Sequence, residues 1–241
     1  MATDLVDNHF HVGQFRDVYY KPVEIFDIII ELGVKGGMYS STTSVQEGIC
    51  YRKVEKEIAA LVLRYSPAQF IPLLWYIPSY IDEGLTPDTV FKHIPYGGIK
   101  LHPRGHRWHL RKKKHLNCLH NLFGYAHDHA LPVIIHTGVD PFEQPNFFET
   151  FYATYYNAKI ILAHCRPVVD TLELFRRYSN VYGDTAFLPE EDYRLICKSG
   201  YADRMLFGTD FPITHYYCED KSRTLKEQYG KDIRAMRKMV Q

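Results

Sequence analysis

Two histidines, His9 and His11, stand two residues apart at the end of an apolar run, Leu5–His11. In a strand, residues i and i+2 point to the same side. The two imidazoles therefore share a face and form a two-pronged metal ligand. Alone, the pair describes two polar strand-end residues equally well, but it is not alone. The run PVIIHTG reaches His136, KIILAHC reaches His164 and RMLFGTDFP reaches Asp210. A single histidine at such a point is usually a core residue with a satisfied hydrogen bond. Four histidines and an aspartate, each where an apolar run stops, are hard to explain by packing. Imidazole and carboxylate donors suit zinc, manganese, iron or nickel rather than calcium.

Other residues join this set on pattern. Lys100 and His102 alternate in GIKLHP and share a face. Asp184, in Gly-Asp-Thr, is either a carboxylate that orients a ligand histidine or a loop cap. The basic stretch PRGHRWHLRKKKH (103–115) divides in two. In its first part, Arg104 or Arg107 is placed to clamp an anion, with Trp108 as a lid. Its second part, Arg111–Lys114, reads as a solvated helix flank. Arg166, two residues past His164, is either a second clamp or a surface ion pair. Cys165 should point away from the face that His164 presents.

These residues need a scaffold that gathers strand ends. Eight short apolar runs recur: Leu5–His11, Val34–Ser40, Phe70–Ile77, Gly97–His102, Pro132–His136, Lys159–His164, Asn180–Phe187 and Met205–Asp210. Their weak alternation suits parallel strands buried on both faces. Helical stripes lie between them: Val54, Ile58, Leu61, Val62 and Tyr65; Leu116, Leu119, Leu122, Phe123 and Ala126; Val168, Leu172 and Phe175; Leu225, Tyr229, Ile233, Met236 and Val240. Pro22–Leu32 reads as a deeply packed helix and Pro87–Ile94 as a two-turn one. Pro167 suits a helix start, where a missing N–H costs nothing. About 30 residues per unit matches a βα repeat. The pattern predicts an α/β chain folded as a single-domain (β/α)8 TIM barrel over 1–241. An open doubly wound sheet would want a glycine-rich loop after the first strand. Here that strand runs into His-Phe-His instead.

Composition narrows the partners. Lys+Arg 29 against Asp+Glu 28 leaves a net charge of +1, which argues against a nucleic-acid partner. No run of about 18 apolar residues exists, so no membrane partner is expected. The start, MATDLVDNHFHVG, lacks the basic and apolar regions of a signal peptide. The five cysteines form no Cys-x-x-Cys pair. A reducing, cytoplasmic setting is the expectation. Homo-oligomer formation stays open.

With these motifs assembled, the chain resembles the amidohydrolase superfamily. The likeness rests on His-x-His on the first strand, His on the fifth, His on the sixth and Asp on the eighth. GIKLHP (98–103), HTG (136–138), NVYGDTA (180–186) and GTDFP (208–212) are similar to the amidohydrolase-2 branch, which includes aminocarboxymuconate-semialdehyde decarboxylase. The resemblance implies that His9, His11, His136 and Asp210 hold a divalent metal, most suitably Zn2+. Asp210 would also move protons as general acid and base. His164 would act on water or substrate, or bind a second metal. Lys100 would either bridge two metals as a carbamate or stay an ammonium that meets a substrate carboxylate. The expectation adopted is one metal per chain with Lys100 unmodified; two remain the alternative. Lys100, His102, Arg104 and Arg166 would contact substrate.

The leading expectation is a metal-dependent hydrolase that activates water to cleave an amide, ester or lactone-like bond of a small anionic molecule. The alternatives are a metal-dependent decarboxylase or lyase, or a metal-binding barrel without catalysis. An intact Asp210 weighs against the last.

Overall fold

The computed structural model describes residues 4–46, 48–66 and 69–239. Each apolar run becomes a strand: β1 Leu5–Phe15, β2 Val34–Ser41, β3 Phe70–Trp75, β4 Gly98–Leu101, β5 Pro132–His136, β6 Lys159–Ala163, β7 Val181–Asp184 and β8 Met205–Leu206. They pair parallel, each with the next in sequence. The sheet curls until the chain after β8 meets β1. There the His11 N–H donates to the Phe211 carbonyl (2.7 Å), the Asn8 N–H to the Phe207 carbonyl (2.9 Å), and Phe10 bridges Phe211 in parallel. The result is the expected eight-stranded α/β barrel.

Most strands are a few residues off the pattern, and two differ most. β1 runs on to Phe15 because Val18–Tyr20 turns back and pairs antiparallel with it, Gly13 opposite Tyr20. Gly13 has φ +91°, and a Cβ there would lie 2.4 Å from Thr43 Oγ1, so only glycine fits. β8 is only two residues long. From Phe207 onward the backbone bonds to β1 instead of continuing as a regular strand.

The outer helices follow the stripes. Tyr51–Arg64 buries Val54, Ile58 and Leu61, and Lys113–Asp128 buries Leu119, Leu122, Phe123 and Ala126. Leu225–Met239 buries Tyr229 and Ile233; Val240, the last residue of that stripe, lies outside the described residues. Pro22 and Pro87 occupy first-turn positions, and Thr86 closes a capping box with Thr89. Pro167 is the N-cap of Val168–Arg177. Glu190–Lys198 packs Tyr193 and Ile196 inward.

Inside the barrel, Met38, Leu73, Ile134, Ile161 and Ala163 form a small apolar plug. Strand alternation then sets what lies above it. Ser40 follows Met38, Trp75 follows Leu73, and His136 follows Ile134, each two residues on and on the same side. The plug closes the barrel below, and the strands' C-terminal ends carry the polar layer.

Candidate active site

Position begins with an irregularity in β1. Its pairing with β2 slips between Asp7 and Phe10, where Asn8 and His9 on β1 oppose Met38 alone on β2. Such a bulge re-aims side chains. Phe10 enters the core beneath the helices, while His9 and His11 share one side. Asp7 anchors the bulge. Its carboxyl accepts the His9 N–H (3.1 Å), the Thr209 N–H (3.1 Å), the Thr209 hydroxyl (2.7 Å) and the Tyr229 hydroxyl (2.9 Å). Burial outweighs these bonds and pushes its pKa up to about 6. Asp7 thus ties β1 to the GTD segment and the C-terminal helix. Its only trace in the sequence is an acid inside an apolar strand.

The GTD segment is shaped to approach His9. A Cβ at Gly208 would sit 2.8 Å from the Cβ of His9. Two residues on, Asp210 has φ +59°, held by its N–H on the His9 carbonyl (2.7 Å). His164 also lies in the left-handed region, at φ +72°, with its N–H on Asp184 Oδ1 (2.9 Å). Such conformations cost about 1–3 kcal/mol and persist where surrounding bonds fix them.

The remote nitrogens of the histidines are spoken for. His9 Nδ1 lies 2.7 Å from Asp184 Oδ2, His11 Nδ1 lies 2.9 Å from Ser40 Oγ, and His164 Nδ1 donates to the Ala186 carbonyl at 2.9 Å. This leaves each Nε2 turned inward. His11 Nε2 is 2.7 Å from Asp210 Oδ1, and His9 Nε2 is 3.4 Å from the same oxygen. His164 Nε2 is 3.9 Å from Asp210 Oδ2. The ligand atoms of His9, His11 and Asp210 all lie within 4.8 Å of one another. His136 stands one step further out, its Nδ1 3.1 Å from His164 Nε2.

Charge states favour donation to a cation. Burial pushes His11 and His164 down to about 4, so both imidazoles are neutral at pH 7. Burial works against the Asp210 charge, but His9, His11 and His164 outweigh it and hold the carboxyl well below the usual range. Lys100 is buried with Nζ 2.8 Å from His9 Nε2 and lies over the Trp75 ring. Burial brings it down to about 8, so the ammonium still predominates at neutral pH.

A cavity of about 350 Å³ opens above these groups. Its polar wall includes His11, Lys100, His102, His136, His164, Arg166 and Asp210; Phe15, Trp75, Phe187 and Tyr217 form apolar sides. Among the described residues, the Nε of Arg166 is buried without a hydrogen-bond partner. A second cavity of about 400 Å³, beside the C-terminal helix, shares only Phe187 and Tyr217 with it and contains none of the clustered histidines.

Three candidates fall elsewhere than expected. Arg104 is exposed and pairs with Asp140 (3.6 Å) and Glu143 (4.0 Å), outside the cavity lining. Its loop carries it to those carboxylates, beside His102 and His136, so it does not face the cavity itself. Arg107 also lies outside that lining. Trp108 is no lid: it is 1% exposed and packs against Tyr76 and His115. Trp75, an inward residue of β3, is the tryptophan at the site. Cys165 is buried against Gly183, away from the cavity as expected, but it is turned there by a left-handed backbone beyond β6 (φ +50°) and not by strand alternation. Glu143, which the sequence reading did not single out, approaches His136 Nε2 (3.7 Å) and His102 Nδ1 (3.9 Å).

Comparison with known proteins agrees with this architecture. A family model described as amidohydrolase matches residues 92–232. No curated protein matches the chain. Among solved structures, a probable 2-pyrone-4,6-dicarboxylic acid hydrolase from Acinetobacter baumannii, with citric acid bound, has a TM-score of 0.64 at 12% identity, covering 98% of this chain and 92% of that one. An uncharacterized TIM-barrel protein from Bordetella bronchiseptica has a TM-score of 0.62 at 16% identity, covering 95% and 90%. The 4-oxalomesaconate hydratase of Rhodopseudomonas palustris has a TM-score of 0.60 at 13% identity, covering 96% and 89%. At these identities the structural likeness is one of fold.

Proposed function

The chain belongs to the amidohydrolase family, and from that premise we propose that it is a metal-dependent hydrolase of a small anionic substrate. One observation carries the reading. Inward-facing imidazole nitrogens of His9 and His11 converge on a single oxygen of Asp210, at the C-terminal end of the barrel and beneath a cavity.

The residues fit a divalent ion. Separations of 2.7 and 3.4 Å are close to those of atoms sharing one ion at the ~2.0–2.2 Å of zinc–nitrogen and zinc–oxygen bonds. His9, His11, His136 and Asp210 would hold it, and the donor set suits Zn2+. A bound ion would polarise the scissile carbonyl and lower the pKa of water from 15.7 toward roughly 7.

The protein's own groups then divide the work. Asp210, whose Oδ1 lies by the His9 and His11 nitrogens, would help hold the ion, and its Oδ2, toward His164, is placed to take a proton and return it to the leaving group. His164, its Nδ1 committed to Ala186, accepts a hydrogen bond through Nε2 and orients the attacking water or the substrate. The unpartnered Nε of Arg166 and the ammonium of Lys100 draw in a carboxylate. Phe15, Trp75 and Phe187 keep bulk water away from the bond being cleaved.

The test is a screen of carboxylated lactones, esters and amides with zinc-loaded protein in 18O-labelled water. The reading predicts turnover, label in the product acid and loss of both in Asp210→Asn. Carbon dioxide release from carboxylic acids without label incorporation would make the protein a lyase.

A further inference from the structure

His102, His136 and Glu143 gather beside the main cluster, their ligand atoms within 4.8 Å of one another. By distance alone they could share a second ion, but ring geometry argues otherwise. The two imidazoles stack at 3.9 Å between centroids and 12° between planes. A histidine donates to a metal in its ring plane, so nearly parallel, stacked rings do not aim their lone pairs at one point. The lone pair of His102 Nδ1 is also taken, because the Gly105 N–H donates to it at 3.1 Å.

A different role accounts for the carboxylate. His9, His11 and His164 each have a remote ring nitrogen fixed by a partner. His136 turns Nδ1 toward the cluster, 3.1 Å from His164 Nε2; because His164 carries its proton on Nδ1, this contact is donated by His136 Nδ1–H, and an ion taking Nδ1 must displace that proton to Nε2. For Nδ1 to offer a lone pair, the ring proton must sit on Nε2. The group facing Nε2 is Glu143 Oε1, 3.7 Å away. That separation suits a bridging water or a small closing movement.

We propose that Glu143 positions His136, accepting the proton-bearing Nε2 so that Nδ1 is presented to the metal. The loop after β5 is built to hold it there. The Gly138 N–H donates to the Glu143 carbonyl (2.9 Å), and the Glu143 N–H to the Asp140 carbonyl (2.8 Å), folding 138–143 back over His136. A Cβ at Gly138 would lie 2.7 Å from Glu143 Oε2, so the glycine of HTG leaves room for this carboxylate. Arg104 steadies the outer oxygen, Oε2, at 4.0 Å. His102, stacked on His136, limits rotation of the ring.

The proposal rests on His136 being a metal ligand, and its test separates the two claims. Zinc affinity is measured by chelator competition on the whole protein for wild type, His136→Ala, Glu143→Ala, Glu143→Gln and Gly138→Ala. Loss of an orienting partner typically weakens metal binding about 10- to 100-fold. Glu143→Ala should fall in that range. Glu143→Gln, whose amide oxygen still accepts from Nε2–H, should stay within about threefold of wild type, which a merely structural role would not single out. Gly138→Ala, which displaces the carboxylate without deleting it, should also weaken binding and decides the matter if Glu143→Ala does not fold. Wild-type affinity in Glu143→Ala or Gly138→Ala, or Glu143→Gln as weak as Glu143→Ala, would overturn the proposal. If His136→Ala binds zinc as wild type does, the ligand assignment itself fails and this proposal falls with it.

Discussion

His9 and Asp184 are joined by a 2.7 Å contact between Nδ1 and Oδ2, while the other oxygen of that carboxylate takes the His164 and Ala186 N–H groups at 2.9 and 3.1 Å. One buried carboxylate thus fixes the ring of one strand-end histidine and the backbone of another. Asp184→Asn should keep the fold and weaken zinc binding about 10- to 100-fold. Chelator competition checks this, and unchanged affinity would remove Asp184 from the metal-supporting role.

Asp210 is proposed as both ligand and proton carrier. Asp210→Asn should cut turnover by at least ~10²-fold, the scale of lost acid–base catalysis. Circular dichroism should show an unchanged fold. Near-native turnover on a true substrate would exclude it from the chemistry.

The strand-end residues were legible because an apolar run that stops at His or Asp marks the end of a buried strand, and alternation then assigns the face. This logic placed His9, His11, Lys100 and His136 at one end of the barrel; His164 and Asp210 join them from just past their strands, aimed by left-handed backbone that alternation does not describe. It could not place Asp7, whose meaning depends on a bulge that no periodicity records. Nor could it place Glu143, brought to His136 by a loop folding back over seven residues of sequence. Arg104 and Trp108 misled for the same reason: in a loop, residue type gives no direction. Trp75 was hidden as an ordinary member of an apolar run.

Away from the site, Asp232 accepts hydrogen bonds from Thr214 and Gln228, yet burial pushes its carboxyl up to about 6, against the opposing effects of those bonds, Lys231 and Arg223. With the folded pKa above the unfolded one, the folded state holds the proton more tightly. Its contribution to stability is complete below about pH 4 and is lost as pH rises through about 6. Denaturant unfolding across this window should show Asp232→Asn losing less stability than wild type, by on the order of 1–3 kcal/mol. Parallel pH profiles for the two proteins would refute the shift.

Two glycines should respond oppositely to alanine. A Cβ at Gly37 would lie 1.9 Å from the Asp7 carbonyl oxygen, a backbone atom that cannot swing away. Gly37→Ala should cost at least about 1–3 kcal/mol and lower the melting temperature by several degrees. Gly124 lies within the helix Lys113–Asp128, and a Cβ there meets only Tyr155 at 3.6 Å. Gly124→Ala should stabilise by roughly 0.5–1 kcal/mol. Thermal melts of the two variants decide both.

The central claim is that His9 and His11, with Asp210, hold a divalent ion at the mouth of the barrel. Elemental analysis of the purified protein beside a His9→Ala, His11→Ala double variant tests it most directly. The account predicts about one divalent metal per chain in wild type, zinc foremost, and its loss from a double variant that remains folded. Full metal occupancy in that folded double variant would contradict it.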